Sequence, residues 1–460
     1  MSNKYKQFIG AFLAAVFLLS SASFVAAQKK EKGWVSLFNG KDLTGWKQLN
    51  GKAKYEVVNG TIVGTSVANT PNSFLTTEQE YGDFIFECEV KVDDKLNSGI
   101  QFRSLSKPEY RDGRVHGYQC EIDPSDRAWS GGIYDEARRG WLYPLDANPE
   151  GRKAFKRNDW NHYRIEAIGN TIRTFVNGVQ TAHLIDDMTA KGFICLQVHS
   201  INKPELEGTQ VMWRNIRIKT TDLQPKPVEK QIHVVNLIPN TLSKEEQQQG
   251  FKLLFDGKDA SQWRIYKQNG ITGGRWGVKD GTITIAKKTE DSKGGGDLIT
   301  REKFGPVFDF KFEFKLTEGA NSGIKYFIEE LPDKNSGFGP EYQILDDEKH
   351  PDAKNGAAGN RTLASLYDLI GAEKPRNSLK PIGEWNSGRI VSLPDGTVQH
   401  YLNEQKVVEY KRGDAIWKAL VARSKFKDAS DFGMAVSGHL LLQDHSDEVS
   451  FRSLRVKQGL

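Results

Sequence analysis

A long internal repeat limits what this chain can fold into more than any other feature. Gly33-Trp-Val-Ser-Leu-Phe-Asn-Gly-Lys-Asp-Leu-Thr-Gly-Trp46 returns as Gly250-Phe-Lys-Leu-Leu-Phe-Asp-Gly-Lys-Asp-Ala-Ser-Gln-Trp263, an offset of 217 residues. Asn97-Ser-Gly-Ile100 then matches Asn321-Ser-Gly-Ile324, Trp160-Asn161 matches Trp385-Asn386, and Arg214-Asn-Ile-Arg-Ile-Lys219 matches Arg452-Ser-Leu-Arg-Val-Lys457. Solenoid units repeat every 20–50 residues or so, so a period this long is a duplicated domain. The expected division is a first domain over 28–220, a linker over 221–249 marked by Leu223-Gln-Pro-Lys-Pro227, and a second domain over 250–460.

Each copy reads as all-β. Phe84, Phe86, Cys88, Val90 and Val92 alternate with charged residues at three of the four positions between them, and Phe308, Phe310, Phe312, Phe314 and Leu316 at all four. Period two with one apolar face is a strand with one side in a core. Asn59-Gly60, Asn177-Gly178, Asp280-Gly281 and Asp395-Gly396 are the dipeptides that two-residue hairpins demand. No amphipathic helices separate the strands. The expectation is two tandem jelly-roll β-sandwiches.

Before the first copy, Lys4 and Lys6 precede an apolar run from Phe8 that ends in Val25-Ala26-Ala27. This pattern predicts a signal peptide over 1–27 cleaved after Ala27, with no Cys to make a lipoprotein, and hence a periplasmic or secreted protein without a membrane anchor. A net charge of +5 over 460 residues is too small to argue for nucleic acid. The 3 Cys have no zinc-site spacing and are expected to be small buried hydrophobes, with a single Cys88–Cys195 bridge left open.

The sandwich faces turned away from the core hold the candidate site residues. In His116-Gly-Tyr-Gln-Cys-Glu-Ile-Asp123, alternation sends Gln119, Glu121 and Asp123 one way; the second copy has Glu341, Gln343 and, just beyond, Asp346. Gln197 and His199 share a strand face, as do Gln443 and His445, and histidine suits proton transfer near neutral pH. Trp129, Tyr134, Asp135 and Trp141 follow the first acid strand, and Tyr367 and Asp368 the second; aromatic rings with acids and amides are a sugar-binding mixture. Arg103 is read as facing the polar side beside Gln101, with Lys325 the counterpart of Gln101. No dinucleotide or phosphate loop, serine elbow or paired-His metal motif is present, which argues against redox cofactors and serine hydrolysis.

Leu-Phe-[Asn/Asp]-Gly-Lys-Asp, Asn-Ser-Gly-Ile, Tyr-Gln-Ile-Leu-Asp346, Glu-Trp-Asn386 and Leu-Gln-Asp-His445 together resemble the 3-keto-disaccharide hydrolase family, in both copies. The first copy departs with Leu-Gln-Val-His199. The resemblance implies a concanavalin-like jelly roll that cleaves 3-keto-disaccharides or 3-keto-glucosides, a carbohydrate substrate supplied by a sugar 3-dehydrogenase, and no organic cofactor. It implies elimination across C1–C2 followed by hydration. His445 or His199 would be the base and Glu341, Asp346, Glu121 or Asp123 the acid partner or ligands of a divalent metal; Arg103 and Lys325 would steady the enediolate. His445, closest to the family form, is expected to serve the more conventional site. A lectin-like tandem binding protein and a conventional glycosidase remain alternatives, because jelly rolls serve all three.

Overall fold

The computed structural model describes residues 32–229, 231–271, 274–292, 294–375, 378–429 and 431–459; the expected signal peptide lies outside the described residues. Two jelly-roll sandwiches follow one another. The first packs a nine-stranded sheet on a seven-stranded one, and the second packs an eight-stranded sheet on a five-stranded one. The seven-stranded sheet runs Gly140–Tyr143, Ile133–Glu136, His116–Ile122, Ser98–Leu105, Gly192–Val198, Ser73–Tyr81, Trp46–Leu49. The corresponding five-stranded sheet runs Trp263–Ile265, Leu298–Thr300, His439–Leu442, Asn321–Ile328, Glu341–Leu345. No helix of the described residues is long and apolar enough to cross a membrane.

The alternating strands sit as their pattern requires. Phe84, Phe86, Cys88, Val90 and Val92 enter one core with Ile100, Phe102, Tyr118 and Cys120 from the facing sheet. Phe308, Phe310, Phe312 and Phe314 enter the other with Ile324, Tyr326, Tyr342 and Ile344. Burying one such ring is worth roughly 1.5–3 kcal/mol, so a one-residue slip that exposed four of them would cost about 6–12 kcal/mol, comparable with the whole stability of a typical domain. All three cysteines are buried free thiols, which removes the Cys88–Cys195 bridge.

Three of the four hairpin dipeptides have both residues at positive φ: Asn59 49° and Gly60 73°, Asn177 49° and Gly178 87°, Asp280 50° and Gly281 73°. At Asp395-Gly396 only the glycine does, because residues 393–396 make a four-residue loop between Trp385–Ser392 and Thr397–Leu402. A further two-residue turn stands at Asn403-Glu404, with φ 47° and 66°, where no Asn-Gly or Asp-Gly dipeptide marks it. The segment between the repeats is a buried strap. Val235–Asn236 adds a parallel strand to Val179–Ile185, and the helix Lys244–Gln248 starts on a capping box of Ser243 and Glu246. The second domain grips this strap: Lys311 Nζ donates to Val234 O at 2.7 Å, Arg455 to Asn236 O at 3.0 Å, and His233 Nε2 meets Glu404 at 2.8 Å.

Candidate active site

The polar face of the first domain's seven-stranded sheet opens into a cleft of about 750 Å³, lined by Gln119, Glu121, Tyr134, Trp141, Gln197 and His199 together with Asn97, Arg114, Arg127 and Glu136. Strand pairing explains the convergence. Ser98–Leu105 lies between His116–Ile122 and Gly192–Val198, with Gly99 opposite both Glu121 and Gln197. Gly99 leaves the space that Gln119 fills, since a Cβ there would stand 2.4 Å from its Cδ.

Buried amides hold the acid. Gln101 and Gln197 each donate to Gln119 Oε1, at 2.6 and 2.9 Å, and Gln119 Nε2 donates to Glu121 Oε2 at 2.8 Å. Asn97 Nδ2 donates to Glu121 Oε1 at 2.7 Å and Arg127 Nη2 to the same oxygen at 3.2 Å. Burial nevertheless dominates: it pushes the Glu121 carboxyl up to about 7 against the opposing pull of Arg127, Asn97 and Gln119. A carboxyl at that value both gives and takes a proton near neutrality. His199 Nδ1 lies 2.7 Å from Ser200 O, a carbonyl that only accepts, so Nδ1 carries the proton and Nε2 is the basic nitrogen. The side-chain oxygen of Gln197 is buried with no partner and lacks a donor.

Tyr134 and Trp141 meet edge to face at 5.2 Å and form the aromatic wall. The Arg127 guanidinium stands 4.7 Å from the Trp129 ring and 4.9 Å from the Trp141 ring. The cleft does not end there. Arg111, Arg114, Tyr134, Glu136 and Trp141 also line a groove of about 1050 Å³ whose far wall is Lys380, Glu384, Trp385 and Arg452 of the second domain.

Other expected residues are near but structural. Asp123 takes the Arg127 Nε–H at 2.8 Å and the Ser125 N–H at 3.1 Å. Trp129 backs Trp141 and donates to Asp146 at 3.1 Å. Asp135 is buried between Arg138 and Arg139, at 2.7 and 2.6 Å. Arg103 requires a correction. A bulge between Phe102 and Leu105, with Arg103 at φ 45°, turns its side chain out of the cleft to the carbonyls of Gly82 and Gly169 and to Asp83. Phe327, its counterpart, has φ 57° in the matching bulge of the second domain.

The second domain assembles its residues differently. Glu341 lies over Gly323, as Gln119 lies over Gly99, with Lys325 Nζ 3.9 Å away; the Gln343 amide nitrogen donates to Glu341 Oε1 at 3.2 Å. Burial raises the Glu341 carboxyl, opposed by Lys325 and by Lys425. Asp346 is spent on a turn: although burial raises it, N–H donors from Gly319, Lys349 and Glu348 hold it below the usual range. Tyr367 donates to Asp352 at 2.8 Å and Asp368 accepts from Arg361 at 2.7 Å. Gln443 has a buried oxygen without a partner, and His445 is exposed, its ring 6.0 Å from that of His350. Two clefts of this domain flank these residues, one of about 550 Å³ around Phe327, Phe338, Phe426 and Phe432 and one of about 380 Å³ around Leu345, Asp346 and Leu379.

Asn97 and Arg127 were missed as site residues. Asn97 stands in the repeated Asn-Ser-Gly-Ile, which was the available signal; Arg127 lies in an irregular loop with none.

Fold and cleft together are those of a carbohydrate-active β-sandwich. Residues 33–219 and 250–457 each match the 3-keto-α-glucoside 1,2-lyase-like domain, so the chain belongs to that family and carries two copies of it. A protein from Bacteroides thetaiotaomicron named 3-keto-disaccharide hydrolase is 38% identical over 232 residues, covering 45% of this chain and 78% of the relative. Two crystal structures of Parabacteroides distasonis proteins put forward as glycosyl hydrolases are also similar. One is 30% identical with TM-score 0.42, over 48% of this chain and 99% of that one; the other is 22% identical with TM-score 0.33, over 45% and 98%.

Proposed function

We propose that this chain cleaves 3-keto-disaccharides or 3-keto-glucosides, and that the first-domain cleft does so by elimination and hydration. The carrying observation is Glu121, a carboxyl poised at about 7 in a sugar-sized cleft that also holds the basic nitrogen of His199. A ketone at C3 acidifies the hydrogen on C2. His199 Nε2 takes that proton and the electron pair becomes the enediolate, beside the Arg127 guanidinium. As the enediolate collapses, the C1–O bond breaks and protonated Glu121 gives its proton to the departing oxygen. Water then adds at C1, losing a proton to the Glu121 carboxylate while His199 returns one to C2, and both groups recover their starting states. Tyr134 and Trp141 offer rings to the apolar face of the sugar. The substrate has to come from a sugar 3-dehydrogenase, since the reaction needs the ketone in place.

The test is turnover of a 3-keto-glucoside in deuterium oxide, with the unoxidised glucoside as control. Elimination requires deuterium at C2 of the product and no turnover of the control. Equal turnover of both sugars would instead establish a conventional glycosidase.

A further inference from the structure

We propose that the second domain carries a site for a divalent transition metal, formed by His350, His445 and Asp447. One ring nitrogen of each histidine and one carboxylate oxygen of Asp447 lie within 4.8 Å of one another. Two imidazoles with one carboxylate suit Zn²⁺, Co²⁺, Ni²⁺ or Fe²⁺, whereas Ca²⁺ and Mg²⁺ are held by oxygen ligands. Ligand atoms around tetrahedral zinc stand about 3.4 Å apart, so the trio has to close by a little over an ångström. His445 can supply that movement because it is exposed and no hydrogen bond to a described residue restrains it. Asp447 is already oriented, since its Oδ2 accepts the Asn321 N–H at 3.1 Å. His350 Nδ1 accepts the Asp352 N–H at 3.2 Å. Ligation through either ring nitrogen gives up this long bond, because the nitrogen that does not bind the metal carries the ring proton.

A separate observation points to a ligand here. Asn321 is 3% exposed and its side-chain oxygen has no hydrogen-bond partner. It starts the strand that carries Gly323 and Lys325 on the same face, next to the carboxylate its own backbone holds. A buried acceptor without a donor is costly, and a water on a metal held by the trio would supply one.

The repeat provides an internal control. Asp123 and Asp346 make the same turn, each accepting the N–H two residues on. Four residues past each stand Arg127 and His350. Two residues past His199 and His445 stand Ile201, 7% exposed, and Asp447. The first domain therefore keeps one of the three donors and fills the neighbouring place with a guanidinium. The second lacks that cation and has Gln343 where the first has Glu121. Three protein ligands would leave the fourth position open for water, or, with expansion to five-coordination, for the paired carbonyl and hydroxyl oxygens of a keto sugar. The inference does not rest on the reaction assigned to the first domain.

The experiment is a titration of the untagged, chelator-stripped full chain with Co²⁺, followed by calorimetry and by the visible ligand-field bands of the bound ion, then displacement by Zn²⁺. One equivalent per chain is expected. His350→Arg and Asp447→Ile, which install the first repeat's residues, should each weaken uptake by more than about 100-fold while circular dichroism stays unchanged, since even outer-shell losses cost 10–100-fold. Absence of stoichiometric uptake by the folded parent chain overturns the proposal. So does uptake that persists in both variants, because the metal then sits elsewhere.

Discussion

Replacing Glu121 with Gln should make the protein more stable at alkaline pH and leave it almost unchanged at acid pH. The carboxyl rises from 4.5 to about 7 on folding, chiefly through burial. At about 1.4 kcal/mol per pH unit, holding it ionised in the fold costs about 3 kcal/mol. The folded chain keeps a proton that the unfolded chain releases, so the stability conferred by neutral Glu121 is complete below pH 4.5 and is lost as pH rises through about 7. Glu121→Gln stays neutral throughout and lacks that loss. Glu121 Oε1 accepts from Asn97 and Arg127 and Oε2 from Gln119, so the introduced NH₂ faces the Gln119 donor and one bond worth about 1 kcal/mol goes. The net is about 2 kcal/mol in favour of the variant at pH 9, or about 4–8 °C in Tm for a domain of this size. Calorimetric scans of both proteins at pH 5 and pH 9 read this directly. An equal Tm difference at the two pH values, or a variant less stable at pH 9, would refute the view that Glu121 is held neutral by burial.

Three further outcomes are expected. His199→Ala should lower kcat on a 3-keto-glucoside by about 10²–10⁴-fold in steady-state assays with the fold intact, whereas an effect confined to KM would make His199 only a binding group. Trp141→Ala should raise KM by about 2- to 10-fold, from an aromatic contact worth about 0.5–1.5 kcal/mol. That rise should be larger for aglycones long enough to enter the groove between the domains, as KM across a series of aglycone lengths would show. His233→Ala should cost about 1–3 kcal/mol in urea unfolding by leaving half-buried Glu404 short of a donor. Burial lowers the His233 imidazole from 6.5 to about 4, so the parent loses stability as pH falls through that interval, and the variant should lack this slope.

The repeat, the alternation and the turn dipeptides made the sandwiches legible because each is local. Phe84 to Val92 needs only its own period to declare a face, and Asn59-Gly60 only its own φ preference. The acid and amide strand faces were legible for the same reason, which is why Gln119, Glu121, Gln197 and His199 could be picked out as candidates, and the structure brings the four to one cleft. Arg103 failed because a bulge breaks the period, and nothing in Phe-Arg-Ser announces one. Arg127, His350 and Asp447 lie in irregular loops, where position depends on contacts distant in sequence, such as the Asn321 N–H that fixes Asp447. The strap was hidden too. Its Pro and Gln marked only a linker, while its burial depends on Lys311 and Arg455 far along the chain.

The exchange of acid and amide between the copies then has a physical consequence that the motif alone does not convey. In both, the first residue of the pair lies over a glycine of the neighbouring strand and meets the residue two places on, which is Gln101 in one copy and Lys325 in the other. In the first domain that residue is Gln119, so the carboxyl of Glu121 stands one pleat further along, among neutral amides and one partly exposed guanidinium, where burial sets its proton affinity. In the second it is Glu341, brought within 3.9 Å of an ammonium group, with an amide at the outer position. A protonatable acid and an imidazole lining one cleft can carry out paired proton transfers. In the second domain burial raises the Glu341 carboxyl as well, against the pull of Lys325 and Lys425, so the two copies differ in which strand position carries the acid and which cation stands beside it. One ring nitrogen each of His350 and His445 and a carboxylate oxygen of Asp447 lie within 4.8 Å of one another, and the first copy has Arg127 and Ile201 at two of those three places.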